Sequence, residues 1–114
     1  MPHLTIEYSK NIENDIEIND LVQAMHNSAA SIDALPIGGL RTRAVARKHF
    51  LVADGHSSNT FVNVALRIAP GRSEGIKKEA GEKLFLTLKK FFSEFSDSNP
   101  VALSFEIQEL DANL

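Results

Sequence analysis

The chain has 114 residues, 43% of them hydrophobic, and a formal net charge of −3 at pH 7. A chain of this size is expected to form one domain that buries roughly two-thirds of its unfolded surface; the absence of cysteine excludes disulfides and thiol catalysis and points to the cytoplasm. The mild acidity gives no pull toward nucleic acid or a membrane surface, no apolar run has the length of a membrane span, and no secretory leader is expected at the N-terminus.

Residues 3–8 alternate strictly, with Leu4, Ile6 and Tyr8 on one face and His3, Thr5 and Glu7 on the other. That pattern predicts a half-buried strand at the start of the chain. "SKNIENDIEIND" follows as a polar connection, ending in the helix-capping pair Asn19–Asp20. Ile18, Leu21, Val22, Met25, Ala29 and Ile32 then keep the helical period, and "ALPIGGL" breaks the helix. "RTRAVARKHFLVAD" predicts a second strand of poorer alternation, and "GHSSN" a turn. Residues 61–68 alternate cleanly, with Val62, Val64, Leu66 and Ile68 inward. "APGRSEG" is a sharp connection in which Ser73 suits a helix N-cap. Ile76, Ala80, Leu84, Leu88, Phe91, Phe92 and Phe95 form the apolar stripe of one longer helix, stopped by "SDSNP". Leu103, Phe105 and Ile107 alternate with polar residues in a last strand.

The order is β-α-β twice, in halves of about residues 1–55 and 56–114, a repeat of architecture with little identity between the halves. It predicts an α+β domain: a four-stranded mixed sheet with two helices on one face. The other face carries Thr5, Glu7, Asn63, Arg67, Glu106 and Gln108. It either meets water or lines an interior between subunits.

Pro2 is open to two readings. Proline is tolerated at the first position of a strand, where its missing N–H costs nothing. If Met1 is removed, however, Pro2 carries a free secondary amine. Arg41, Arg43 and Arg47 share one strand face by period-two spacing. They suit carboxylate recognition, or else form a solvated face or pair with acidic neighbours. Arg72 in "GRS" stands where a helix begins, beside unsatisfied N–H groups and the positive dipole end; the alternative is an ordinary capped helix start. His49, Asp54 and His56 have no recognised metal-ligand spacing, so no metal site is expected. His26 is expected on a helix surface, and Phe91, Phe92 and Phe95 in the core.

Together these residues resemble the tautomerase superfamily, which includes 4-oxalocrotonate tautomerase and macrophage migration inhibitory factor. Within it, "MPHLTIEYS", "GGLRTR", "VADG", "FVNVALRIAPGRS" and "ALSFEIQEL" fall in the order of the 5-carboxymethyl-2-hydroxymuconate isomerase family over nearly the whole chain. The resemblance implies a homotrimer, no cofactor and no metal, and a small di- or tricarboxylate as substrate. It implies a proton transfer from the 2-hydroxyl to C5 of 5-carboxymethyl-2-hydroxymuconate, a step of homoprotocatechuate degradation. Pro2 matches the family's base, Arg72 the arginine that binds a substrate carboxylate, and Arg41 the arginine at the 2-hydroxy or 2-oxo end; Arg43 is a further candidate binding residue. "SKNIEN" stands where shorter members carry "GRS", so one arginine set per chain is expected.

An α-amino group titrates at about 7.7–8.0. An arginine ~7 Å away at an effective dielectric of ~20 disfavours its cation by roughly 2.4 kcal/mol, or about 1.7 pK units. Pro2 would then be largely neutral near pH 7. A sibling tautomerase acting on another 2-hydroxydienoate, a non-enzymatic trimeric binding protein and a regulatory βαββαβ domain remain open on the residues alone.

Overall fold

The computed structural model describes residues 2–114; Met1, whose removal the proline reading requires, lies outside the described residues. The chain forms β1 (His3–Ser9), α1 (Ile18–Ala30), β2 (Arg41–Arg47), β3 (Thr60–Ile68), α2 (Glu74–Phe91), α3 (Ser93–Ser98) and β4 (Val101–Glu109). The sheet order is β2-β1-β3-β4. β1 runs parallel to β2 and antiparallel to β3, and β3 runs parallel to β4. Each half is therefore a βαβ unit, and the halves join where β1 meets β3. This is the four-stranded mixed sheet the alternation predicts.

The apolar strand faces supply the core. Leu4, Ile6, Val62, Val64 and Leu66 are fully buried, together with Leu21, Met25, Leu84 and Leu88 of the two long helices. Each such side chain gains about 1.5–3 kcal/mol from leaving water. Ser28 of α1 and Thr87 of α2 share a hydrogen bond of 2.8 Å, which fixes one long helix against the other.

Several boundaries differ from the sequence expectation. β2 ends at Arg47 rather than running on through "KHFLVAD". Its partner explains this: Arg47 pairs with Ser9, the last residue of β1, and beyond Ser9 the chain turns into a 3-10 segment, Lys10–Asn14. With no ladder to join, residues 48–59 form a loop. That loop is held by the Asp54 carboxylate, which accepts from the His56 N–H and the Asn59 side chain. The "polar" connection also buries Ile12 completely. The cap of α1 is Glu17, whose carboxylate accepts from the Asn19 N–H, rather than Asn19–Asp20. The second long helix breaks at Phe92 (φ −93°, ψ 8°), leaving α3 as a separate turn. Ser73 caps α2 as expected, accepting from the Ile76 N–H at 3.2 Å.

Phe92 is fully buried and stands edge-on to both Phe91 and Phe95, with ring centroids 5.2 and 5.8 Å apart. Phe92→Ala should cost about 3–5 kcal/mol, read as a lower urea midpoint at unchanged slope. A loss below about 1 kcal/mol would show that this aromatic cluster does not anchor the helix break.

Candidate active site

The site grows from the start of β1. Pro2 is buried. Its carbonyl accepts from the Arg41 N–H at 3.0 Å, extending the β1–β2 ladder by one rung. Proline has no N–H to give to a ladder, so only its carbonyl is engaged. Arg41 therefore enters β2 beside Pro2. Its guanidinium is exposed and, among the described residues, reaches only the Gly38 and Leu40 carbonyls, each at 3.3 Å.

The three β2 arginines share the open sheet face, as their spacing requires, but meet different partners. Arg47 pairs with Glu7 at 2.6 Å, an exposed contact worth little to stability. Arg43 Nη1 lies 3.2 Å from His3 Nδ1. A guanidinium can only donate, so Nδ1 of His3 is the acceptor and the ring is neutral, with its proton on Nε2. In register, His3 stands opposite Arg41 on one side and Arg67 on the other. Partial burial, then the charges of Arg43, Arg67 and Arg41, hold the His3 pKa below its ordinary 6.5.

Arg72 lies apart from this group in sequence and in its bonding. Gly71 turns the chain with φ +111°, a conformation that disfavours any side chain. The Arg72 guanidinium folds back onto carbonyls: Nε and Nη2 donate to Ala34 at 3.0 and 2.8 Å, and Nη1 to Ala69 at 3.1 Å. It ties the β3–α2 turn to the connection after α1. One N–H on each terminal nitrogen remains for another acceptor.

His26, expected on a helix surface, instead bonds Thr42 Oγ1 of the edge strand through Nδ1 at 2.7 Å and is half-buried. The pair borders a shallow cleft of about 460 Å³ that also includes Arg41 and Arg43. A roomier cleft of about 580 Å³, between the end of α1 and the start of α2, holds none of the sequence-predicted site residues. Arg41 and Arg43 thus line the smaller one, while Pro2 and Arg72 are among the lining residues of neither. His49 is exposed, and His56 is taken up by Ser58, whose N–H and hydroxyl lie 3.0 and 2.8 Å from its Nδ1. No group of three or more His, Asp or Glu side chains able to hold a metal converges among the described residues. His3 and Arg67 are the members that sequence reasoning left on the polar face without a role. Only cross-strand register brings them to Arg41 and Arg43.

A family model described as 5-carboxymethyl-2-hydroxymuconate isomerase matches residues 2–114. The chain belongs to the 5-carboxymethyl-2-hydroxymuconate isomerase family. A 5-carboxymethyl-2-hydroxymuconate Delta-isomerase of Escherichia coli is 34% identical over 114 residues, 100% of this chain and 90% of the relative. The crystal structure of a 5-carboxymethyl-2-hydroxymuconate isomerase from Deinococcus radiodurans R1 is 37% identical, with a TM-score of 0.89 over 98% of this chain and 84% of that one. A fused 4-OT, described as a symmetric trimer, shares the fold alone, at 16% identity and a TM-score of 0.62 over 95% of this chain and 86% of that one. Membership of the family makes the chain an isomerase with the tautomerase fold, in place of the non-enzymatic and regulatory readings. Among the described residues, no helix is long and apolar enough to cross a membrane.

The lowered pKa of His3 has a sign. Between the lowered folded value and 6.5 the unfolded chain binds more protons than the folded one. The contribution of His3 to stability is thus fully present above 6.5 and lost as pH falls through the folded value. An NMR titration should give a His3 midpoint below 6.5, moving back upward in Arg43→Gln; a midpoint at or above 6.5 in the unsubstituted chain would refute the neutral-ring geometry.

Proposed function

We propose that the chain isomerises 5-carboxymethyl-2-hydroxymuconate, with Pro2 as the proton carrier once Met1 is removed. The neutral Pro2 nitrogen takes the proton of the 2-hydroxyl. The O–H electrons form the C2 carbonyl, the C2=C3 pair becomes C3=C4, and the C4=C5 pair receives the proton at C5 from the Pro2 ammonium. The result is a 2-oxo-3-ene, with no net change in electrons or protons. The reaction needs a base that becomes an acid and donors for the charge developing on oxygen. No step requires a metal or redox cofactor.

The observation that carries this reading is the rung from the Arg41 N–H to the Pro2 carbonyl, 3.0 Å long, which seats a strand arginine beside the proline. Arg41 is the donor to the 2-oxygen as charge develops there. Arg72, clamped by Ala34 and Ala69, offers its two remaining N–H groups to a substrate carboxylate, and Arg43 binds a further anionic group. A cytoplasmic homotrimer is part of the same reading. The open sheet face, with Arg41, Arg43, Arg67, Glu106 and Gln108 exposed, is then an interior wall between subunits. The family relationship and the fold shared with a fused 4-OT trimer support it.

Protein with a blocked amine, by retained Met1 or an N-terminal tag, should show no ultraviolet change on 5-carboxymethyl-2-hydroxymuconate. Turnover equal to that of the free-amine form would defeat the base assignment. Arg72→Gln should raise KM at least tenfold with a smaller effect on kcat, and should also lower the melting temperature, because the carbonyl clamp is lost with the charge. Unchanged KM alongside a lowered melting temperature would leave Arg72 a purely structural residue.

A further inference from the structure

The open sheet face is electrically divided along its length. Toward the Ser9 end of β1, Glu7 pairs with Arg47; midway along, Glu106, in register with Ala65 and so level with Thr5, accepts from the Asn63 and Gln108 amides at 3.4 and 3.1 Å. At the end near Pro2, the charges are not matched. Arg41 and Arg67 flank His3 on neighbouring strands, one strand spacing, about 4.8 Å, to either side. Arg43 reaches the same ring at 3.2 Å. None of the three arginines forms an ion pair among the described residues, where the ion pairs run Lys10–Glu13, Arg47–Glu7, Lys77–Glu74, Lys77–Glu109 and Lys78–Glu82. Three permanent cations thus gather around a neutral imidazole in a chain whose net charge is −3. Like charges so placed repel one another, and an anion between them removes that repulsion while accepting planar, bidentate hydrogen bonds.

We propose that Arg67 and Arg43, with the Nε2–H of His3 as a neutral donor between them, form an anion subsite that holds the third carboxylate of the substrate. Arg72 takes one carboxylate and Arg41 meets the 2-oxygen end with the carboxylate beside it, whereas a tricarboxylate needs one more cationic contact. Arg67 fits that need: it is exposed, free of an ion pair among the described residues, and two positions before the Ala69 carbonyl that holds Arg72. The inference rests on the reading of a polycarboxylate substrate, but not on the proton chemistry of Pro2. His3 is a positioning residue as well as a donor, since its Nδ1 orients Arg43.

The test is binding rather than turnover, measured calorimetrically with propane-1,2,3-tricarboxylate, pentanedioate and inorganic sulfate as probes. Arg67→Gln should weaken the tricarboxylate about tenfold or more, about 1.4 kcal/mol, and pentanedioate less than about threefold. Arg67→Lys should recover part of the loss. The Arg67→Gln variant should keep the far-ultraviolet circular dichroism spectrum and the assembled mass of the unsubstituted protein, which separates lost binding from lost folding or assembly. Equal losses for both carboxylates, or none for either, overturn the proposal. So does a loss confined to sulfate, which would make the cluster an inorganic-anion site. The same measurements on amine-blocked protein should give the same ratios, so a failed proline base and a failed subsite are told apart.

Discussion

The arrangement depends on β1 lying inside the sheet from its first residue. Chain termini ordinarily fray, yet here β2 flanks the start of β1 on one side and β3 on the other. Both pairings begin at His3, with Arg41 and Arg67 opposite. Leu4 and Ile6 alternate into the core with no exposure at all, so a slip of one residue would turn the entire apolar set outward. Register is therefore strongly specified, and with it the position of Pro2. Any other residue there would offer an N–H to the ladder; proline engages through its carbonyl alone. The ladder holds the residue while leaving its nitrogen uncommitted.

The legible parts of the fold are those where one face is buried and the other wet. Residues 3–8 and 61–68 alternate because helices cover one side of the sheet and nothing among the described residues covers the other, and that contrast is written at period two. The edge strand β2 was harder to delimit. Its end is set by where β1 stops, at Ser9 opposite Arg47, a fact about its partner and not about "KHFLVAD". Ile12 was hidden for a related reason: one buried side chain in a 3-10 turn makes no periodic signal. The break at Phe92 preserves the apolar stripe, since Leu88 before it and Phe95 after it stay buried. The site divides the same way. That Arg41, Arg43 and Arg47 share a face follows from spacing; that one pairs with Glu7, one with His3 and one with turn carbonyls follows only from register.

The two long-range constraints on the arginines act differently. Arg41, Arg43 and Arg67 are placed by the sheet, so their backbones are fixed while their charged ends are exposed. Arg72 is placed by its own guanidinium, through carbonyls of Ala34 and Ala69 that belong to separate connections. Nothing in "GRS" announces this, because the main acceptor is 38 residues away. The helix mouth explains why a turn occurs there; the tertiary clamp explains where its side chain goes.

That contrast bears on how the proposed polyanionic substrate would be gripped. Ordering a long cationic side chain on binding costs about 0.5–1.5 kcal/mol, and Arg72 has met that cost in folding. Its two spare N–H groups point in directions set before any ligand arrives, as preorganised recognition requires. On the proposed reading, the exposed side chains around His3 still carry that ordering cost and gain less per contact. In the proposed reaction, one end of the substrate is anchored rigidly and the other is held by charge. That suits a proton transfer in which bonding along the carbon chain changes while the carboxylates keep their charge.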